Sequence, residues 1–206
     1  MKKRSTGILI IVLASIFILT KCSQSASDTK EAPKDSTTVT ASYGGYESQA
    51  KWGQHIVTIA GCNDCHTPKK MSPQGPVFDM DLMLSGHPSA MPPPDVNRKE
   101  IESKGLFSSN DLTSWVGPWG ISFAANLTSD STGIGSWTED QFIYCLRNGK
   151  WMGQPQARTL LPPMPWQGFA QMTDDELKAV FAFLKSTKPI HNVVPMPQPP
   201  LLAMKK

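Results

Sequence analysis

Two thiols three residues apart, with an imidazole directly after the second, make up Cys62-Asn63-Asp64-Cys65-His66, the stretch that most narrows the chemistry open to this chain. On a helical turn, side chains at i and i+3 share a face, and the next residue can swing its ring beneath whatever the pair holds. Cys-x-x-Cys-His is the attachment pattern of c-type haem: Cys62 and Cys65 would each add across a vinyl group, and His66 would ligate the iron from the proximal side. The cysteine pair alone also fits a dithiol redox centre or half of a four-ligand zinc site. The first needs a strand before the pair inside a βαβ pattern, and the second needs another closely spaced ligand pair. Neither is present, since the remaining cysteines, Cys22 and Cys145, each stand alone. One attachment motif predicts one covalent haem c per chain.

Fast electron exchange at such an iron calls for a sixth ligand, and ten methionines compete for the role. Met164 lies between Pro163 and Pro165, and Met91 also lies in a proline run, Ala90-Met91-Pro92-Pro93-Pro94. Flanking prolines fix φ and would hold a thioether sulfur in place with little reorganisation. Met80, Met83, Met152 and Met172 read as core filler. His55 reads as a packing residue of the first helix, while His87 and His191 fall in Pro-rich stretches expected at the surface. Cys145 reads as a small buried hydrophobe. Trp115, Trp119, Trp137 and Trp166 could line a pocket or reach the haem propionates.

Helices must position these groups. The first is expected over about residues 47–60, carrying Trp52, Ile56, Val57 and Ile59 and ending at Gly61. Thr138-Glu139-Asp140-Gln141 reads as a capping box opening a helix with Phe142, Cys145 and Leu146 on its apolar face and a stop at Asn148-Gly149. Thr173-Asp174-Asp175-Glu176 is a second box, with Met172 and Leu177 as a hydrophobic staple, opening a helix through Leu177, Val180, Phe181 and Leu184 that stops before Pro189. Residues 67 to about 125 are expected to form a loop-rich insertion with at most short helices, shielding the haem or binding a partner.

The N-terminus predicts export. Lys2, Lys3 and Arg4 precede an apolar run from Ile8 to Leu19, a signal peptide over residues 1–21 rather than a spanning helix. Cys22 follows in Leu19-Thr20-Lys21-Cys22-Ser23, which resembles a bacterial lipoprotein cleavage site, with Lys21 where that pattern has a small residue. The resemblance implies lipidation of Cys22 and a membrane anchor on the periplasmic side. Residues 22–45 are polar and read as a flexible tether, residues 46–195 as one domain, and 196–206 as a Pro-rich tail running extended over the surface. Residues 1–21 carry Lys2, Lys3, Arg4 and Lys21 and no acid, so their removal takes the formal net charge from +3 to −1. That balance gives no basis for nucleic-acid binding.

This organisation resembles the class I cytochrome c domain, in which first and last helices cross above the haem. Gly53, nine residues before Cys62, falls where that family has a small residue at the crossing, with Phe181 or Phe183 as the aromatic packed on it. Taken alone, Gly53 would be a tolerated helix glycine costing about 1 kcal/mol. A closer similarity, over roughly residues 47–195, is to haem modules in the cytochrome c subunits of membrane-bound alcohol and aldehyde dehydrogenases. It is carried by the run from Asn126 to Thr138, by Arg147-Asn148-Gly149, by Pro163-Met164-Pro165-Trp166 and by Leu184-Lys185-Ser186. The resemblance implies an all-α, cytochrome c-like domain with Met164 as the distal ligand. It also implies a non-enzymatic electron carrier working with redox partners: a dehydrogenase, a respiratory complex or a terminal oxidase. With one module only, a stand-alone carrier is expected. A haem enzyme or gas sensor would need an open or displaceable sixth site and a distal acid or base, and a zinc or dithiol module would be colourless.

Overall fold

The computed structural model describes residues 42–203; the expected signal peptide, Cys22 and most of the tether lie outside them. In chain order come α1 (Gln49–Ile59), α2 (Cys62–His66), β1 (Lys69–Ser72), β2 (Gly75–Phe78), α3 (Arg98–Lys104), β3 (Phe107–Ser108), β4 (Ser114–Gly117), β5 (Gly120–Phe123), α4 (Glu139–Asn148), α5 (Trp166–Phe169) and α6 (Asp174–Ser186). Among the described residues, no helix is long and apolar enough to cross a membrane.

The first and last long helices pack on each other through Gly53, buried in α1 beside Ala179 and Phe183 of α6. Around this crossing Ile56, Val57, Ala179, Val180, Phe181 and Leu184 form one core with Phe142 of α4 and with Leu84 and Ile134 from the connecting segments. The rings of Phe142 and Phe181 meet at 5.3 Å. Phe183, rather than Phe181, is the aromatic against the glycine.

Local capping follows the expected chemistry with one exception. Thr173 and Glu176 form the full reciprocal box at α6: the Glu176 N–H donates to the Thr173 hydroxyl (3.2 Å) and the Thr173 N–H donates to the Glu176 carboxylate (2.7 Å). At α4 only half of the box forms. The Gln141 N–H donates to the Thr138 hydroxyl (3.1 Å), but the Gln141 amide is turned to the Met152 carbonyl (2.7 Å). Thr173→Ala should therefore cost about 1 kcal/mol, seen as a fall of about 2–4 °C in the thermal midpoint.

The insertion departs from the all-α expectation. The five strands among the described residues all lie within it, in an antiparallel β1–β2 hairpin and an antiparallel β3–β4–β5 sheet. The hairpins turn tightly, Pro73-Gln74 joining β1 to β2 and Pro118-Trp119 joining β4 to β5, and Gly75 and Gly120 follow at positive φ (109° and 94°), which favours glycine. A side chain at Gly120 would also strike the Gln198 carbonyl, because the C-terminal tail runs here: Ile121 and Gln198 exchange both backbone hydrogen bonds. Arg98 holds the tail from α3, donating to the Gln198 side chain and the Pro199 carbonyl while paired with Glu102 at 2.7 Å.

His87 is the second correction. It is wholly buried rather than at the surface, its ring 4.8 Å from that of Phe123. Its Nδ1 meets the Thr113 hydroxyl (2.8 Å), which bonds in turn to Asp111, and its Nε2 faces the Met91 carbonyl (3.3 Å). The prolines around His87 mark a chain path across the interior of the insertion.

Candidate haem-binding site

Gly61, left-handed at φ 68°, lets the chain leave α1 and begin the single turn of α2. That turn places Cys62, Cys65 and His66 on the wall of one cavity. His66 is buried, and its Nδ1 lies 2.8 Å from the Ala125 carbonyl. A carbonyl only accepts, so Nδ1 carries the proton and Nε2 of the neutral ring keeps its lone pair. Burial holds the imidazole pKa below its usual value, opposed by the bond to Ala125. The turn is tied down further by Gly86 N–H donating to the His66 carbonyl (2.8 Å) and by Leu84 N–H donating to the Thr67 hydroxyl (2.9 Å).

Burial pushes the Cys62 thiol up to about 11 and raises Cys65 as well. A dithiol redox centre works through a thiolate of lowered pKa, so this environment disfavours that reading. Among the described residues no cluster of three or more His, Cys, Asp or Glu could hold a metal ion.

The cavity, about 260 Å³, is apolar: Ile56 of α1, Phe142 and Leu146 of α4, and Val180 and Leu184 of α6 form its helical side. Met164 lines it together with Pro162, Pro163 and Pro165. Met91 does not; it is 38% exposed in the insertion, where its carbonyl faces His87. Met152 and Met172 also reach the lining, but Met172 packs against the core and Met152 sits on an exposed turn. His55 is outside, stacked on Tyr46 at 5.1 Å, and His191 is exposed beside Asp130. Cys145 is buried as expected and contributes to the lining.

Of the four tryptophans singled out from the sequence, Trp115 and Trp137 line the cavity. Trp119 bonds to Ser122 and Trp166 packs against Gly149. Trp151 and Arg158 were not legible as site residues. Arg158 is the one cation among the lining residues, set 5.1 Å over the Trp151 ring, and its guanidinium pairs with no carboxylate among the described residues. Its sequence context, Gln156-Ala157-Arg158-Thr159, carries no signal that could have found it.

A turn carrying two thiols, a buried neutral imidazole and a methionine on one apolar cavity fit haem, and known proteins place the chain beside the electron-transfer cytochromes of c type. It is similar to cytochrome c subunits of dehydrogenases. The alcohol dehydrogenase (quinone) cytochrome c subunit of Gluconobacter oxydans is 27% identical over 146 residues, 70% of this chain and 23% of that protein. The corresponding subunit of Gluconacetobacter polyoxogenes is 34% identical over 83 residues, 40% of this chain and 16% of that protein. The fructose dehydrogenase cytochrome subunit of Gluconobacter japonicus is 32% identical over 85 residues, covering 40% and 17%. The chain thus spans less than a quarter of the length of these curated relatives. No family model matches it.

Proposed function

We propose that this chain is an exported, non-enzymatic electron carrier with one haem c, held by thioethers to Cys62 and Cys65 and ligated by His66 and Met164. The observation that carries this reading is the His66–Ala125 hydrogen bond. It leaves Nε2 unprotonated in a cavity that Met164 also lines. Haem bound there supplies a one-electron couple at its iron. The chain's part is to exclude water with Ile56, Phe142, Val180 and Leu184, to keep the His66 ring oriented, and to hold the Met164 thioether on a proline-stiffened loop. Arg158, an exposed lining residue set over the Trp151 ring, is placed to take a carboxylate of the cofactor. The crossing of α1 and α6 at Gly53 supports a cytochrome c-like helical frame into which the two small sheets are inserted.

Redox partners in this reading are a dehydrogenase, by likeness to the relatives, or a respiratory complex or terminal oxidase. The basic start of the chain, its apolar run and Cys22 support a lipid-anchored, periplasmic location. Among the described residues the lining holds no second histidine and no carboxylate, which supports the carrier reading over a haem enzyme or gas sensor with a distal acid or base. The test is the oxidised absorption spectrum of haem-loaded wild type and Met164→Ala. A weak methionine-to-iron charge-transfer band in wild type that is lost in the variant supports the pair. A haem-loaded wild type without the band overturns Met164 as ligand and favours the sensor or enzyme reading.

A further inference from the structure

The run Leu161-Pro162-Pro163-Met164-Pro165 is poor in hydrogen-bond donors. Three of its residues are prolines, and the Met164 N–H closes only a local turn to the Leu161 carbonyl at 3.3 Å. Among the described residues, the one hydrogen bond that ties residues 162–164 to another part of the chain comes from Ser122 of β5. Its buried hydroxyl donates to the Pro162 carbonyl at 2.6 Å. The same hydroxyl accepts from the Trp119 indole N–H at 3.1 Å, which leaves its own proton free to point at Pro162. Trp119 is held over Gly117, where any β-carbon would lie 2.5 Å from its ring.

Three residues beyond Ser122, the same strand's continuation ends at Ala125, whose carbonyl takes the His66 proton. The segment between is itself pinned. Phe123 is in register with Ser114 of β4, Ala124 N–H donates to the Thr113 carbonyl (2.8 Å), and His87 N–H donates to the Ala124 carbonyl (2.9 Å). Ser122, Phe123, Ala124 and Ala125 all line the cavity. We infer that Ser122–Ala125 is a brace that fixes both loops whose His66 and Met164 would ligate the haem iron, and that Ser122 is the positioning residue for Met164. The inference rests on the His66/Met164 reading and deepens it, because it gives the insertion a task at the iron's sixth position.

Imidazole titration of the ferric, haem-loaded protein tests it, since imidazole competes with a methionine thioether for the iron. With the brace cut in Ser122→Ala, imidazole should bind roughly three- to tenfold more tightly, the ratio expected for one net hydrogen bond. The charge-transfer band should weaken at unchanged haem content. Trp119→Phe removes only the donor that orients the hydroxyl, should move imidazole affinity the same way by less, and decides the matter if Ser122→Ala does not accumulate. Asn97→Ala, which removes the N-cap of α3, a helix with no residue on the cavity lining, should leave imidazole affinity where it is. A wild-type band together with unaltered affinity in the Ser122 and Trp119 variants overturns the brace and leaves Met164 as ligand. A wild type lacking the band overturns the ligand reading and the brace with it.

Discussion

Cys62→Ala combined with Cys65→Ala should leave a cytochrome c maturation system with no covalent haem, so that denaturing electrophoresis followed by haem staining gives a blank band where wild type is coloured. The two thiols occupy one turn and share one cavity wall, and no other cysteine is within that turn. Cys145, which also lines the cavity, sits on α4 without a neighbouring thiol or a following histidine and cannot substitute. Each single variant should retain one thioether and a shifted reduced spectrum, because one vinyl group stays unsaturated. The double variant should also lose stability, since Ile56, Phe142, Val180 and Leu184 would then line a cavity that no covalently held group fills. Haem that stays attached through denaturation after both thiols are removed would sink the attachment reading.

The second large effect is at Gly53. Two arguments give opposite signs, and their magnitudes decide. Helix propensity favours alanine over glycine by about 1 kcal/mol. Against that, a β-carbon at Gly53 would lie 1.8 Å from the Ala179 carbonyl oxygen, 2.4 Å from its carbon and 2.9 Å from the Phe183 β-carbon. The first two atoms are backbone inside α6 and cannot swing away, so relief requires the helices to separate. Overpacking of this kind costs about 3 kcal/mol, which leaves a net loss of about 2 kcal/mol after the propensity gain and lowers the thermal midpoint by roughly 4–8 °C. Circular dichroism melts of wild type and Gly53→Ala measure it; an unchanged or raised midpoint would mean that α1 and α6 do not cross at this residue.

The parts of this molecule that were legible in the sequence are those specified locally. Thr173 and Glu176 announce α6 because a capping box is complete within four residues, and Gly149 ends α4 in the left-handed conformation that favours glycine. Cys62, Cys65 and His66 come together because a helical turn brings them there. Gly53 was legible only through a family likeness, since its reason is a carbonyl of residue 179. What stayed hidden depends on distant pairing. Strands of two to four residues, broken by Pro118 and Gly120, are too short for an alternating pattern to register, and β5 gains its stability from β4 on one side and the tail on the other. His87 was misjudged because proline-rich context describes chain direction and carries no information about depth. Ala125 and Ser122 could not have been found at all: one acts through a backbone carbonyl and the other through a single hydroxyl.

The crossing of α1 with α6 also sets an order in time. A chain emerging amino end first presents Cys62, Cys65 and His66 well before Phe142, Met164, Val180 and Leu184 exist to enclose them, and α1 has no partner until α6 is complete. Contacts of such long sequence separation form late and slowly. In the proposed reading the two thiols lie open to haem attachment during that interval, and closure of the last helix over the first then shuts the cavity from water.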